Sequence, residues 1–141
     1  MARIFWDTNL FIYLMQDKGH LADRVEGIWR GMTQRGDRLY TSAFTLGEIL
    51  VKPVTEGDRE IEHSYLRLFR SSSINLLALD FHTAPAHARI RADRSIRPPD
   101  AIQLACASTA EIDLFITNDE RLSRKHVAGI KFITSLDRAP I

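Results

Sequence analysis

The chain has 141 residues, 45% hydrophobic and 26% charged, with a net charge of +1 and one cysteine. These values exclude an internal disulfide framework, a disordered polyelectrolyte and a strongly acidic or basic body, and they suit one domain over residues 1–141 with a sizeable core. The cations are skewed, 15 Arg against 4 Lys; arginine's planar fork suits phosphate or carboxylate, although a GC-rich genome produces the same bias.

In chain order, "RIFWD" is expected as a first strand. A helix over Leu10 to Gln16 follows, then an amphipathic one over Ala22 to Arg35, with Val25, Ile28, Trp29 and Met32 at helical spacing. "RLYT" is a second strand, followed by helices over Phe44 to Val51 and Arg59 to Arg70. "NLLAL" is a third strand, with helices over Pro85 to Arg94 and Asp100 to Thr109 after it. "DLFIT" is a fourth strand, Glu120 to His126 a last helix, and "KFIT" a final strand. Strands that alternate with helices and are nearly continuously apolar indicate a parallel sheet covered on both faces. The expected fold is therefore a three-layer α/β/α domain with four to five strands. Cys106, inside "AIQLACAS", is expected as a core residue, and the single thiol fits a reducing cytoplasm. No targeting segment or bilayer-length apolar run is legible.

One aspartate, Asp7, interrupts the apolar run "IFWDTNLFIYL". An ionised carboxylate in such a place caps something locally or meets distant partners. Ligands of parallel α/β sheets bind outside the carboxyl ends of the strands. Four carboxylates fall there: Asp7 after the first strand, Glu48 in the helix after the second, Asp100 behind "RPP", and Asp119 after "FITN". Each has a local alternative. Asp7 and Asp119 are good helix caps, Glu48 completes a Thr-x-x-Glu capping box starting at Thr45, and Asp100 suits a first helical turn. The functional alternative starts the helix of Glu48 at Ser42 and turns Glu48 inward.

The four are 41, 52 and 19 positions apart, so only tertiary structure can gather them. Two carboxylates about 4 Å apart repel by roughly 4 kcal/mol at an effective dielectric of ~20. A cluster needs a counter-charge, and no lysine motif stands near it. Oxygen-rich sites suit Mg²⁺ or Mn²⁺, and the His and Cys spacings of zinc sites are absent.

"IFWDTNLFIYL", "TSAFTLGEIL", "PPDAIQLACA" and "LFITNDERL" resemble, in order, the four acidic motifs of PIN-domain nucleases, and most closely the VapC-type toxins of bacterial toxin–antitoxin pairs. The resemblance covers nearly the whole chain. It implies a five-stranded parallel sheet, an Mg²⁺-dependent endoribonuclease, a cognate antitoxin and a homodimer. Asp7, Glu48, Asp100 and Asp119 become the acidic site, with Asp7 and Asp100 as direct ligands. Thr117 matches the Ser/Thr two positions before the last acid, and Asn9 the Asn that orients Asp7 or ties the rim. Many relatives carry a further acid shortly after the last motif; here Glu120 follows at once, so a fifth acidic ligand is not expected.

No Ser/His/Asp or Cys/His arrangement is legible, and the five histidines are scattered. Hydrolysis by water activated at one or two ions is therefore expected, leaving 5′-phosphate and 3′-hydroxyl ends, and the resemblance implies that the substrate is RNA, a tRNA or rRNA. Four acids repel a polyanion, so basic groups must hold the strand. Arg94 and Arg97, just before Asp100, and Arg121, just after Asp119, are the candidates. Trp6, Phe11 and Tyr13 are expected in the core. Two other designs remain open. A PIN fold used only for binding would keep the shape without the chemistry. A receiver-like Mg²⁺ module would need a second acid beside Asp7 and a lysine ending the last strand.

Overall fold

In the computed structural model, the first strand, β1 (Arg3–Trp6), sends Ile4 and Trp6 to one face and Phe5 to the other, because successive Cβ atoms alternate. The structure describes residues 1–16 and 19–140. β1 pairs in parallel with β2 (Arg38–Ser42) on one side and β4 (Leu114–Thr117) on the other. β3 (Ile74–Leu77) and β5 (Phe132–Ser135) flank these, giving the order β3-β2-β1-β4-β5, parallel throughout. The five-stranded parallel sheet is thus present.

Helices cover both faces. Ile4, Trp6 and Ile116 pack with α1 (Thr8–Gln16), α2 (His20–Arg35), α3 (Ala43–Glu56) and α4 (Arg59–Arg70). Phe5 and Phe115 pack with α5 (Ala84–Arg91) and α6 (Pro98–Thr109). Register places Phe5 opposite Phe115, and their rings stack 4.8 Å apart with planes 7° from parallel. Such a pair contributes ~0.5–1.5 kcal/mol beyond its burial. It clamps the two strands that carry Asp7 and Asp119. Trp6 and Phe11 are core residues, and Tyr13 is half-buried.

The chain fills β1, β2 and β3 outward in one direction, then crosses back to place β4 and β5 on the other side of β1. Strand order therefore reverses between β1 and β4. A crevice opens at their carboxyl ends, because the following connections diverge there.

Two elements differ from expectation. The helix over Glu120 to His126 is only a 3₁₀ turn, Leu122–Arg124. Asp119 Oδ1 accepts from the Arg121 and Leu122 N–H groups, tightening that turn, and the backbone is already extended at Lys125. The segment has no apolar stripe to bury, so nothing rewards a longer helix. Conversely, α3 does not stop at Val51. It carries the buried Pro53 through to Glu56 and closes at Gly57, whose φ of 69° suits a residue without a Cβ. Among the described residues no helix is long and apolar enough to cross a membrane.

Candidate active site

Asp7 leaves β1 beside the end of β4. Its N–H donates to the Ile116 carbonyl (3.0 Å), and its own carbonyl accepts from Leu10 N–H (3.1 Å) as α1 begins. One residue thus ends a strand, starts a helix and aims a carboxylate into the crevice. Thr117 Oγ1 donates to Asp7 Oδ2 at 2.8 Å, and the Thr8 N–H donates to Oδ1 at 2.9 Å. Thr117 Oγ1 also accepts from Asp119 N–H (3.1 Å), so one buried hydroxyl sets Asp7 and the turn carrying Asp119 together.

Glu48 reaches the same crevice because α3 starts where the inward-turned alternative requires. Ser42 is the N-cap, its Oγ accepting from Thr45 N–H at 3.2 Å. Thr45 is already inside the helix, so the capping box of Thr45 and Glu48 does not form. Glu48 Oε1 instead accepts from Thr8 Oγ1 at 2.6 Å. Asp100 lies in the first turn of α6, which Pro98 and Pro99 open with the fixed φ that suits a helix start.

The arginine between these acids supplies the counter-charge. Arg97 Nε donates to Asp100 Oδ2 (3.2 Å), and its Nη2 to Asp119 Oδ2 (2.8 Å). Arg121 lies 3.9 Å from the same Asp119 oxygen. The Arg97 side chain is 61% exposed, so these pairs are screened by water and bind modestly.

Burial pushes the Asp7 carboxyl above its ordinary value, and the Asp100 and Glu48 charges push the same way; the Thr117 and Thr8 donors pull it back. Asp7 is therefore close enough to Asp100 and Glu48 to feel both charges. Asp7, Glu48, Asp100 and Asp119 all line one cleft of about 410 Å³, together with Thr8, Asn9, Arg97 and Gln103. As positioned, the carboxylates do not converge on one point among the described residues. Glu48 is drawn to Thr8, while Asp100 and Asp119 are drawn to Arg97. The donor set is nonetheless all hard oxygen with excess negative charge, which fits Mg²⁺ or Mn²⁺ and not zinc. None of the five histidines lines this cleft, and Cys106 is buried with its thiol pushed up to about 11 by desolvation. No cysteine or histidine lines the cleft among the described residues, and its carboxylates and the Thr8 hydroxyl are the groups available to hold an ion or orient a water.

The family model described as PIN domain matches residues 4–127. The chain belongs to the PIN-domain family. A chain in the structure of VapBC2 from Rickettsia felis, bound to a DNA fragment from the promoter, is 14% identical with a TM-score of 0.75, covering 94% of this chain and 98% of that one. One in DNA-bound VapBC from Salmonella typhimurium is 21% identical at a TM-score of 0.74, covering 96% and 99%. One in VapBC-5 from Mycobacterium tuberculosis, a member of the VapBC family of toxin-antitoxin systems, is 20% identical at 0.59, covering 95% and 99%. These likenesses are of fold, and they extend over nearly the whole PIN domain. No curated protein matches the chain.

Several expected residues take other places. Asn9 lines the cleft but its side chain makes no hydrogen bond among the described residues; the orienting of Asp7 falls to Thr117 and the Thr8 N–H. The exposed Arg94 is not a wall of the cleft, whereas Arg97 is, and Arg121 stands at its edge beside Asp100 and Asp119. Glu120 is exposed and apart from the cleft.

The sequence reading missed Gln103. Its Nε2 donates to Thr45 Oγ1 (2.6 Å) and Thr8 Oγ1 (3.2 Å) and stands 3.5 Å from Asp7 Oδ1, while its Oε1 accepts from Ser42 Oγ. A buried amide thus ties α3, α1 and α6 together beneath the acids. The signal was available: Gln103 follows Asp100 by one helical turn, alone among apolar neighbours in "AIQLACA".

Proposed function

We propose that this PIN domain is a divalent-metal-dependent endoribonuclease, the toxin of a VapBC-type pair. What carries the reading is the gathering of Asp7, Glu48, Asp100 and Asp119 around one cleft at the switch between β1 and β4. Asp7 and Asp100, with Asp119 and Glu48 beside them, would hold Mg²⁺ or Mn²⁺. The bound ion would supply Lewis-acid polarisation of the scissile phosphate and an acidified water.

The protein's own groups do the rest. Asp7 keeps a fixed orientation through Thr117 and Thr8. Glu48, with Oε1 already accepting from Thr8, has Oε2 left to accept a proton from the attacking water. Arg97 exchanges its hold on Asp100 and Asp119 for a phosphate oxygen of the strand. The ribose 2′-hydroxyl takes no part, so discrimination for RNA rests on binding. The neighbours' complexes support an antitoxin as partner, and a homodimer is proposed with it.

Incubation with tRNAs and rRNA in Mg²⁺, Mn²⁺ or EDTA tests this. The expected result is cleavage that EDTA stops, with 5′-phosphate and 3′-hydroxyl ends. Asp7→Asn and Asp100→Asn should each abolish it in a folded protein. Undiminished cleavage by either variant refutes the assignment.

A further inference from the structure

A second cavity, of about 260 Å³, lies between α5, the turn after it, the C-terminal half of α6 and the loop around Val127. We propose that it is a subsite for one unpaired nucleobase of the RNA strand whose backbone crosses the acidic cleft. This rests on the nuclease reading above and specifies how that site selects its substrate.

Proximity is the first argument. A shallow neck lined by Asp100, Asp119, Arg121 and Lys125 shares the two aspartates with the acidic cleft and has the buried Ile96 in common with this cavity. Ser108, on the cavity wall, is two turns of α6 beyond Asp100, ~12 Å along the helix. That span is a few nucleotides of strand. The neck is flanked by Arg97, Arg121 and Lys125, cations on the route a polyanion must take.

Size and chemistry agree. The volume falls below the ~300–1,000 Å³ of pockets for drug-sized ligands and suits one small planar group. Ile90, Ile96 and Val127 give apolar walls. Arg89 and His126 add exposed planar groups of the kinds on which splayed-out bases stack. Asp93 supplies a carboxylate acceptor for a base's amino edge; Ser95 and Lys125 hold it in place and ionised.

The far wall is also built firmly. Gly129 has a φ of 92°, and a Cβ there would stand 2.6 Å from the Ser108 carbonyl oxygen. Ser108 Oγ donates to the Ala128 carbonyl at 2.5 Å. The loop is thereby pinned against α6, and the cavity is preformed.

The test uses a synthetic RNA carrying the mapped cut site, with the base removed at each position in turn. Removal at one position a few nucleotides from the cut should raise KM about tenfold at unchanged kcat, the effect of losing one stacked base. Two variants should lose that sensitivity and cleave intact and abasic RNA with equal KM: Ala86→Phe, which fills the cavity, and the double variant Arg89→Ala, His126→Ala, which strips exposed groups and leaves the core alone. If Ala86→Phe does not fold, the double variant decides. Equal KM wherever the base is removed, or sensitivity that survives in the folded variants, overturns the subsite while leaving the nuclease intact. Failure of the unaltered protein to cut any RNA overturns the nuclease and the subsite together.

Discussion

At Asp7, burial and function oppose each other. Desolvation raises its carboxyl pKa first, and the Asp100 and Glu48 charges add to it. A carboxyl whose folded pKa is raised contributes most to stability below its unfolded value, near 3.8, and that contribution is lost as pH rises through the folded value. At neutral pH the ionised group therefore weighs against folding unless a cation answers it. Asp7→Asn carries no charge and keeps one acceptor oxygen, for the Thr8 N–H; its NH₂ group then faces Thr117 Oγ1, a hydroxyl that can accept instead of donating. In EDTA the variant should melt above the unaltered protein at pH 7, and the gain should vanish toward pH 3 to 4, where both side chains are neutral. Thermal melts across pH check it. An equal or lower Tm at pH 7 would mean that Asp7 is a structural cap whose charge the fold needs. Gln103 works in the opposite sense: its buried amide has partners on both ends, which fixes the hydroxyls beneath the acids without adding a charge to the cluster.

At the scale of elements, the strands and four carboxylates were legible because apolar runs mark strand bodies, and a carboxylate closing such a run must leave the core at the rim. The phase of α3 was not. "TSAFTLGE" offers Ser42 and Thr45 as rival caps, and the choice fixes which way Glu48 points. The structure settles on Ser42, where the β2 pairing ends and the hydroxyl can also donate to Gln103. That partner is 61 positions away, beyond any local rule. The last helix was misread for a similar reason: Asp119 looked like a helix cap and is one for only a single 3₁₀ turn, its other oxygen being given to Arg97. Two substitutions separate capping from chemistry. Ser42→Ala should cost about 1 kcal/mol or more in urea denaturation, since a cap and a buried hydrogen bond go together. Glu48→Gln can still accept from Thr8, so stability should hold while RNA cleavage falls by about ten- to a hundredfold. A Glu48→Gln variant with full cleavage would return Glu48 to a purely structural role.

For the whole molecule, a net charge of +1 gives no general field to draw RNA in. Attraction must come from where the arginines stand. The doubly wound topology brings the start of α6 against the exit of β4, so that one guanidinium touches acids from both. Asp100 and Asp119 are 16% and 20% exposed where they meet Arg97. The Arg97 side chain itself stands in water, which screens both pairs, so Arg97 can be displaced from both at little cost. If it is the counter-charge that a divalent ion replaces, then Arg97→Ala should move two affinities in opposite directions. Mn²⁺ titrated into the metal-free protein should bind more tightly, because no guanidinium competes for the carboxylates. RNA should bind the Asp7→Asn, Arg97→Ala protein more weakly than Asp7→Asn alone, with the slope of log K against log salt shallower by about one phosphate contact. A purely structural pair predicts lower stability with neither change. Unaltered ion affinity would remove Arg97 from the ion site, and an unaltered salt slope would remove it from the strand's path. Only the opposed pair of shifts places one side chain in both roles.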